Sequence, residues 1–419
     1  MKVSTAVIPA IIERHLEDAA FLAQLRRRVC TAPDWSLRNL VDLDDRLEAN
    51  LDGLRVAGEH GRIVAESKLS AGPDELFVSG VLAVESRDRG RMTQLVREGA
   101  KSPEALDAVI SSFGRVAPVF LQGTIKDLLT SHASIGRQVG IATCVSHHVH
   151  PGAPLTKLLD DDDDSVRAWA IRACGEFGLT EHLERCSDPS GRGDGDVAWW
   201  SAWSSVLLGD RGRAMETLVR HGFESNPNRA RAFPLALQAM NVKRAHALLQ
   251  QIAEQPGQLA QLIRGSGIAG DPTYVPWLIR HMADTKTARV AGESFTLITG
   301  ADFAALHLEA KRPEDFVAGP NDDPNDPDVD MDADDGLLWP DAAKIEKWWA
   351  ANEGRFQKGV RYFMGAPVTR EHCIDVLKNG YQRQRILAAH YLCLLEPGTP
   401  LFNTSAPAWR QQRLLAKMA

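Results

Sequence analysis

The sequence predicts an all-α protein, an α-solenoid of stacked helix hairpins, on three observations. Helix-like segments of similar make-up recur about every thirty residues, shorter amphipathic runs fill the gaps, and turn or capping residues stand at the boundaries. A hairpin of about thirty residues cannot bury its own apolar faces, so stacking on similar neighbours is what supplies a continuous core. With 419 residues, 44% hydrophobic and 25% charged, the chain has the material for such a core and no compositional bias toward disorder.

Residues 1–70 read as an N-terminal helical cap. Ile11 to Val29 is amphipathic, and "WSLRNLVDLDDRLEANLDGLRVAG" from Trp35 adds a second helical run. An open stack needs an end whose outer face tolerates water. The opening "MKVSTAVIPAIIERHLEDAAFLAQL" runs into Glu13, Arg14, Glu17 and Asp18 without a small-residue cleavage pattern, so it reads as a mature helix and not a signal peptide. Arg26, Arg27 and Arg28 read as a solvated basic face.

Residues 71–310 carry the repeat. Its segments open at Pro73, Pro103, Ser134, Ser165, Asp196, Asn228, Gln258 and Thr287, spaced 29 to 32 residues apart. Most of these residues suit a helix start, and Gly178, Gly209, Gly270 and Gly300 stand where left-handed C-caps belong. Runs such as "RMTQLVREG", "TIKDLLTSH" and "KRAHALLQQIAE" supply the partner helix of each hairpin. Small residues in "ACGEF" and "AGESF" would let helices approach closely. Residues 311–341 break the pattern with five prolines and many acids, as a loop or linker does. Residues 342–419 resume helical periodicity as a C-terminal cap.

The net charge of −7 comes from that acidic insert. Pro313 to Asp341 holds eleven Asp and Glu and no Lys or Arg; 48 basic and 44 acidic residues remain elsewhere, a balance of +4. A near-neutral body argues against nucleic-acid binding, which favours a strongly basic face. Six cysteines without a CxxC pair fit a reducing cytoplasm, and no window is long and apolar enough for a membrane span.

The chemical motifs are weak. In the insert Asp328, Asp330, Asp332 and Asp334 alternate like calcium ligands, but an EF-hand loop also needs glycine at position 6 and glutamate at position 12. From Asp330 those positions hold Asp335 and Asp341, and from Asp328 they hold Ala333 and Trp339, so a solvated linker or a lure for a basic partner is the better reading. The run Asp160–Asp164 precedes a helix, where its dipole and free N–H groups favour acids, and no GxxxxGK[ST] accompanies it. "CVSHHVHPG" offers Cys144, His147, His148 and His150 without a second spaced pair for zinc. No HExxH or GxSxG occurs, and no cofactor is expected. The paired tryptophans, Trp199, Trp200, Trp203, Trp348 and Trp349, read as core.

"PLTKLLDDDDDSVRAWAIRACGEFG" and "YVPWLIRHMADTKTARVAGESFTLITG" resemble HEAT-like repeats of the short bacterial kind, where an Asp-containing turn precedes Val-Arg at the start of the second helix. That resemblance implies a structural ladder between neighbouring repeats through Asp161 and Arg167, Asp284 and Arg289, with Arg137 thirty residues before Arg167. The segments from 73, 103, 196, 228 and 258 lack the Asp–Arg pair. Taken with "LLWPD" and "QRQRILAAHYLCLL", the whole chain resembles an uncharacterised proteobacterial HEAT-like family encoded near type VI secretion components.

The expectation is a non-enzymatic protein-binding scaffold in the cytoplasm. The resemblance implies a protein partner, a secretion-system effector or component, bound in an adaptor or immunity role. Two other classes stay open: a nucleic-acid-binding or base-excision HEAT-like protein, and a lyase-type enzyme on short HEAT-like repeats.

Overall fold

The structure is a computed structural model that describes residues 8–187, 195–223, 228–314, 316–317, 319 and 332–418. Among these the regular structure is helical apart from one small antiparallel ladder and an isolated bridge between Glu309 and Pro340. No helix among them is long and apolar enough to cross a membrane.

Three helices open the chain: α1 (Pro9–Val29), α2 (Leu37–Val56) and α3 (Glu59–Ser67). Then come α4 (Pro73–Ser86), α5 (Arg89–Gly99), α6 (Pro103–Arg115), α7 (Thr124–Leu129), α8 (Ser134–His147), α9 (Pro154–Leu158), α10 (Asp164–Phe177), α11 (Leu183–Ser187) and α12 (Asp196–Leu207). The series continues with α13 (Arg213–Phe223), α14 (Arg229–Ala239), α15 (Val242–Ala253), α16 (Leu259–Ala269), α17 (Val275–His281) and α18 (Ala288–Thr299). After the insert follow α19 (Ala342–Asn352), strands β1 (Tyr362–Phe363) and β2 (Ala366–Pro367), α20 (Arg370–Asn379), α21 (Gln382–Leu395) and α22 (Ala408–Leu415).

Local chemistry sets these boundaries. Ser102 caps α6 by accepting from the Ala105 N–H at 3.2 Å, with Pro103 in the first helical position, and Asp163 caps α10 by accepting from Ser165 and Val166. α10, α16 and α18 stop at Gly178, Gly270 and Gly300, all with φ near +70°, a left-handed cap that glycine adopts without a steric penalty.

The chain divides into two compact units. The first comprises Met1–Cys30, Trp35–Asp210 and Pro397–Ala419; the second comprises Thr31–Asp34 and Arg211–Glu396. Within the first, α4 packs on α6, α6 on α8, α8 on α10 and α10 on α12, while α5, α7, α9 and α11 each lie against a following member of that row. A core cluster includes the fully buried Ile141, Val166, Ala170 and Cys174. Within the second, α14 packs on α16 and α16 on α18, with α13, α15 and α17 beside them and α21 against α14. Its core holds Ile263, Val275, Phe295 and Ile345.

Small residues fix how closely the rows pack. A Cβ added at Gly175 would lie 2.7 Å from the Cα of Ser204, and one at Gly267 would lie 2.7 Å from the Cα of Ser294. Each serine is buried and donates its hydroxyl to the neighbouring helix, Ser204 to the Ile171 carbonyl at 2.8 Å and Ser294 to the Ile263 carbonyl at 2.9 Å. Helix backbones meet at these points, so any larger residue pushes the pair apart.

Two late segments of the chain run across helix C-termini. Backbone N–H groups of Tyr362, Met364 and Gly365 donate to the carbonyls of Gly270, Leu297 and Ile298, and that of Leu401 donates to Glu176. Because the last carbonyls of a helix have no partner inside it, these donors complete α16, α18 and α10.

Candidate functional site

The aspartate run singled out in the sequence is spent on local and inter-helix bonds. Arg137 from α8 donates Nε and Nη2 to the two oxygens of Asp161 at 2.7 and 2.8 Å, and Arg167 donates to the Asp161 carbonyl at 2.6 Å. Burial would raise the Asp161 carboxyl, but hydrogen bonds and charge from Arg137 outweigh it and hold it below the ordinary range. Asp160 pairs with Arg185, and Asp164 pairs with Arg167. At the second expected ladder pair the geometry differs. Asp284 accepts from the Lys286 N–H at 3.0 Å, while Arg289 turns to Asp332 at 2.7 Å and to the Asp334 carbonyl at 2.7 Å.

Of the four calcium-like aspartates, Asp328 and Asp330 lie outside the described residues. Asp332 and Asp334 are engaged by arginines, the latter by Arg264 at 2.5 Å and Arg383 at 3.0 Å. Among the described residues no group of three or more His, Cys, Asp and Glu is placed to hold a metal ion. In "CVSHHVHPG" burial pushes the Cys144 thiol up to about 11, away from nucleophile chemistry. His147 donates Nε2–H to the Phe113 carbonyl at 2.8 Å, and burial pushes it down to about 4. His150 accepts from the Gly152 N–H at 2.9 Å.

A concave site lies in the first unit, a cleft of about 650 Å³ between α2, α4, the end of α6 and α22. This is the size of an ordinary ligand or side-chain pocket. Its floor is apolar, with Leu54, Leu82, Val116 and Ala408, and Phe120 and Trp409 supply aromatic rings. Trp409 is 43% exposed, and Asp45 lies exposed at the same opening.

One wall is a chain of alternating charges built on Asp44. Arg26 donates Nε to Asp44 Oδ1 at 2.5 Å and Nη2 to Oδ2 at 3.3 Å; Arg115 donates Nη1 to Oδ1 at 2.5 Å, and the Ala408 N–H donates to Oδ2 at 2.7 Å. Arg115 reaches on to Glu48 at 3.0 Å, Glu48 to Arg55 at 2.6 Å, and Arg55 grips Glu85 with two bonds of 2.8 Å. Burial would raise Asp44, but the charges of Arg26 and Arg115 and four hydrogen bonds outweigh it, so the carboxyl stays below the ordinary range. A carboxylate with both oxygens doubly occupied has no lone pair left to take a substrate proton. Asp44 is therefore a fastener that ties α1, α2, α6 and α22 around the cleft, and no serine, cysteine or lysine lining the cleft is paired with a base.

No family model, curated protein or solved structure matches the chain.

Sequence reasoning missed this site. Arg26 was expected on a solvated face, yet its side chain is only 13% exposed, because Asp44, Ser405 and Ala406 enclose it. Arg410 was not singled out either. It donates to the Gly114 carbonyl at 3.0 Å and the Ser146 carbonyl at 2.9 Å, and burial, with Arg115 and Arg26 nearby, pushes it down to about 10. The local sequence signal was the Ser36–Asn39 capping box, which fixes where α2 begins and so where Asp44 and Glu48 fall.

Proposed function

We propose that the chain is a non-enzymatic protein-binding scaffold, an α-solenoid of HEAT-like hairpins. On this reading it works in the bacterial cytoplasm on a type VI secretion effector or component, as adaptor or immunity protein. The observation that carries the binding role is the cleft beside Asp44: an apolar floor, two aromatic rings, an exposed carboxylate, and a charged wall already neutralised by its own arginines. Such a site suits a protruding loop of a partner, with an apolar anchor on Trp409 and Phe120 and a basic side chain toward Asp45. The row from α4 through α12, each helix packed on the next, supports the solenoid reading. The secretion context rests on the sequence resemblance.

The test is capture from native lysate on immobilised chain, with Trp409→Glu and Asp45→Lys variants that keep the wild-type circular dichroism. A protein held by wild type and weakened about tenfold or more by either variant supports the reading, since a central anchor contributes at least that much. Its identification as a secretion effector or component supports the context. The scaffold reading fails if the variants retain the same proteins as wild type. It also fails if the chain holds DNA in a salt-dependent manner and no protein.

A further inference from the structure

The second unit holds a cluster of arginines whose counter-charges come from the acidic insert. Arg264 on α16 and Arg383 on α21 flank Glu293 of α18, which accepts from Arg264 at 3.2 Å and from Arg383 at 3.1 and 3.0 Å, and Arg289 lies one turn earlier on the same helix as Glu293. Three arginines and one glutamate leave two positive charges. Asp332 and Asp334 supply the two negative ones, Asp332 to Arg289 at 2.7 Å and Asp334 to Arg264 at 2.5 Å and Arg383 at 3.0 Å.

The contact is built on a turn rather than a helix. Asp332 Oδ1 accepts from the Asp334 N–H at 2.9 Å, a local turn that brings the two carboxylates of an Asp-x-Asp sequence to one place. The arginines also bind the main chain of that turn, Arg383 donating to the Ala333 carbonyl at 2.6 Å and Arg289 to the Asp334 carbonyl at 2.7 Å. Phe316 and Trp339, from either side of the turn, stack near the Arg289 guanidinium at 4.7 and 5.0 Å from their ring centres. Arg264 and Arg383 remain 34% and 22% exposed along their side chains, so solvent and solutes reach them.

We propose that Arg264, Arg289 and Arg383 form a recognition site for an Asp-x-Asp turn in an acidic segment of a partner protein, and that Asp332–Asp334 fill it in cis as an autoinhibitory strap. The recognition is general: guanidinium forks on carboxylates and main-chain carbonyls fit any peptide that makes the same turn. The chain's own segment competes at an effective concentration of roughly millimolar, so an acidic partner binds only by making additional contacts or after the strap is released. This site lies in the second unit, and its test is independent of whether the cleft beside Asp44 binds anything.

The probe is a labelled synthetic peptide of residues 332–339, DADDGLLW, added to full-length protein. Wild type is expected to bind it weakly, Asp332→Asn/Asp334→Asn at least about tenfold more tightly, and the same protein carrying Arg264→Gln/Arg383→Gln not measurably. Binding should weaken as salt rises. If the aspartate variant keeps wild-type circular dichroism and binds no more tightly than wild type, the contact is structural only and the proposal is overturned. If that variant loses its helical signal, hydrogen exchange of wild type decides: several millimolar peptide should deprotect residues 332–341, and unchanged protection overturns the proposal. A single-stranded DNA of equal charge serves as the competing arm, and binding of DNA without peptide also overturns it.

Discussion

Arg361 and Arg410 hold the same relation to the helices beneath them, each guanidinium donating to the last-turn carbonyls of two neighbouring helices in its own unit. Arg361 binds Gln238 at 2.6 Å and Leu237 at 2.9 Å at the end of α14, and Ala269 at 3.0 Å at the end of α16. Arg410 binds Gly114 near the end of α6 and Ser146 near the end of α8. A helix C-terminus carries unsatisfied carbonyls and a partial negative charge, so one cation answers both needs for two helices at once.

Arg410→Met should therefore destabilise the first unit by about 2–4 kcal/mol, through two buried carbonyls left without donors. Hydrogen exchange should rise at the last turns of α6 and α8 and stay unchanged in α14 and α16. Arg361→Met should give the reverse pattern. Uniform exchange changes across both units in either variant would contradict a capping role.

Gly175→Ala and Gly267→Ala place a methyl group against the backbones of Ser204 and Ser294. Each should lower stability by about 1–3 kcal/mol, visible as a fall in Tm. Gly354→Ala, with open space around the site, is the control and should change it by no more than about 0.5 kcal/mol.

Asp44→Asn leaves Arg26 and Arg115 buried around a neutral amide, and loss of one member of a buried charged set costs about 3–5 kcal/mol. The cleft should loosen with it, so Trp409 fluorescence should change alongside Tm. The ionised Asp44 is favoured by folding. Its contribution is present above the ordinary carboxylate range and is lost as pH falls through its depressed folded value.

His390 gives a second pH dependence in a milder window. It is 5% exposed, donates Nδ1–H to Gln238 Oε1 at 3.0 Å, and burial, with Arg231 adding, pushes it down to about 4. The unfolded chain takes up that proton below its ordinary value near 6.5 while the folded chain stays neutral, so stability is full above 6.5 and declines toward 4. The loss from His390 reaches about 3 kcal/mol, and His390→Gln should make the dependence of Tm on pH between 6.5 and 4 shallower, leaving the share of His147, which burial also pushes down to about 4. An equally steep profile in the variant would exclude His390 as its source.

The helices were legible because their signals are local. Pro103 behind Ser102, Asp163 before Val166, and glycines at 178, 270 and 300 each act within a turn of the boundary they set. Gly175 of "ACGEF" and Ser294 of "AGESF" likewise sit at close crossings, because the effect of a small residue is written in its own size. The cleft was not legible. Arg26 meets Asp44 only when α1 folds back on α2, and Arg410 meets carbonyls 264 and 296 residues earlier. The acidic insert shows the same limit. Composition describes Asp332 and Asp334 as solvated charge, while the fold sets three arginines from three helices against them.

The two segments laid over helix ends also order events in time. Gly114 and Ser146 leave the ribosome 296 and 264 residues ahead of Arg410, a delay on the order of tens of seconds during synthesis. Through that interval the ends of α6 and α8 lack their permanent donor, and the whole second unit is made before Pro397–Ala419 completes the first. A nascent chain interrupted after residue 396 would carry every residue assigned to the second unit and still leave the N-terminal one unfinished. Completion of the earliest helices thus waits on synthesis of residues 397–419.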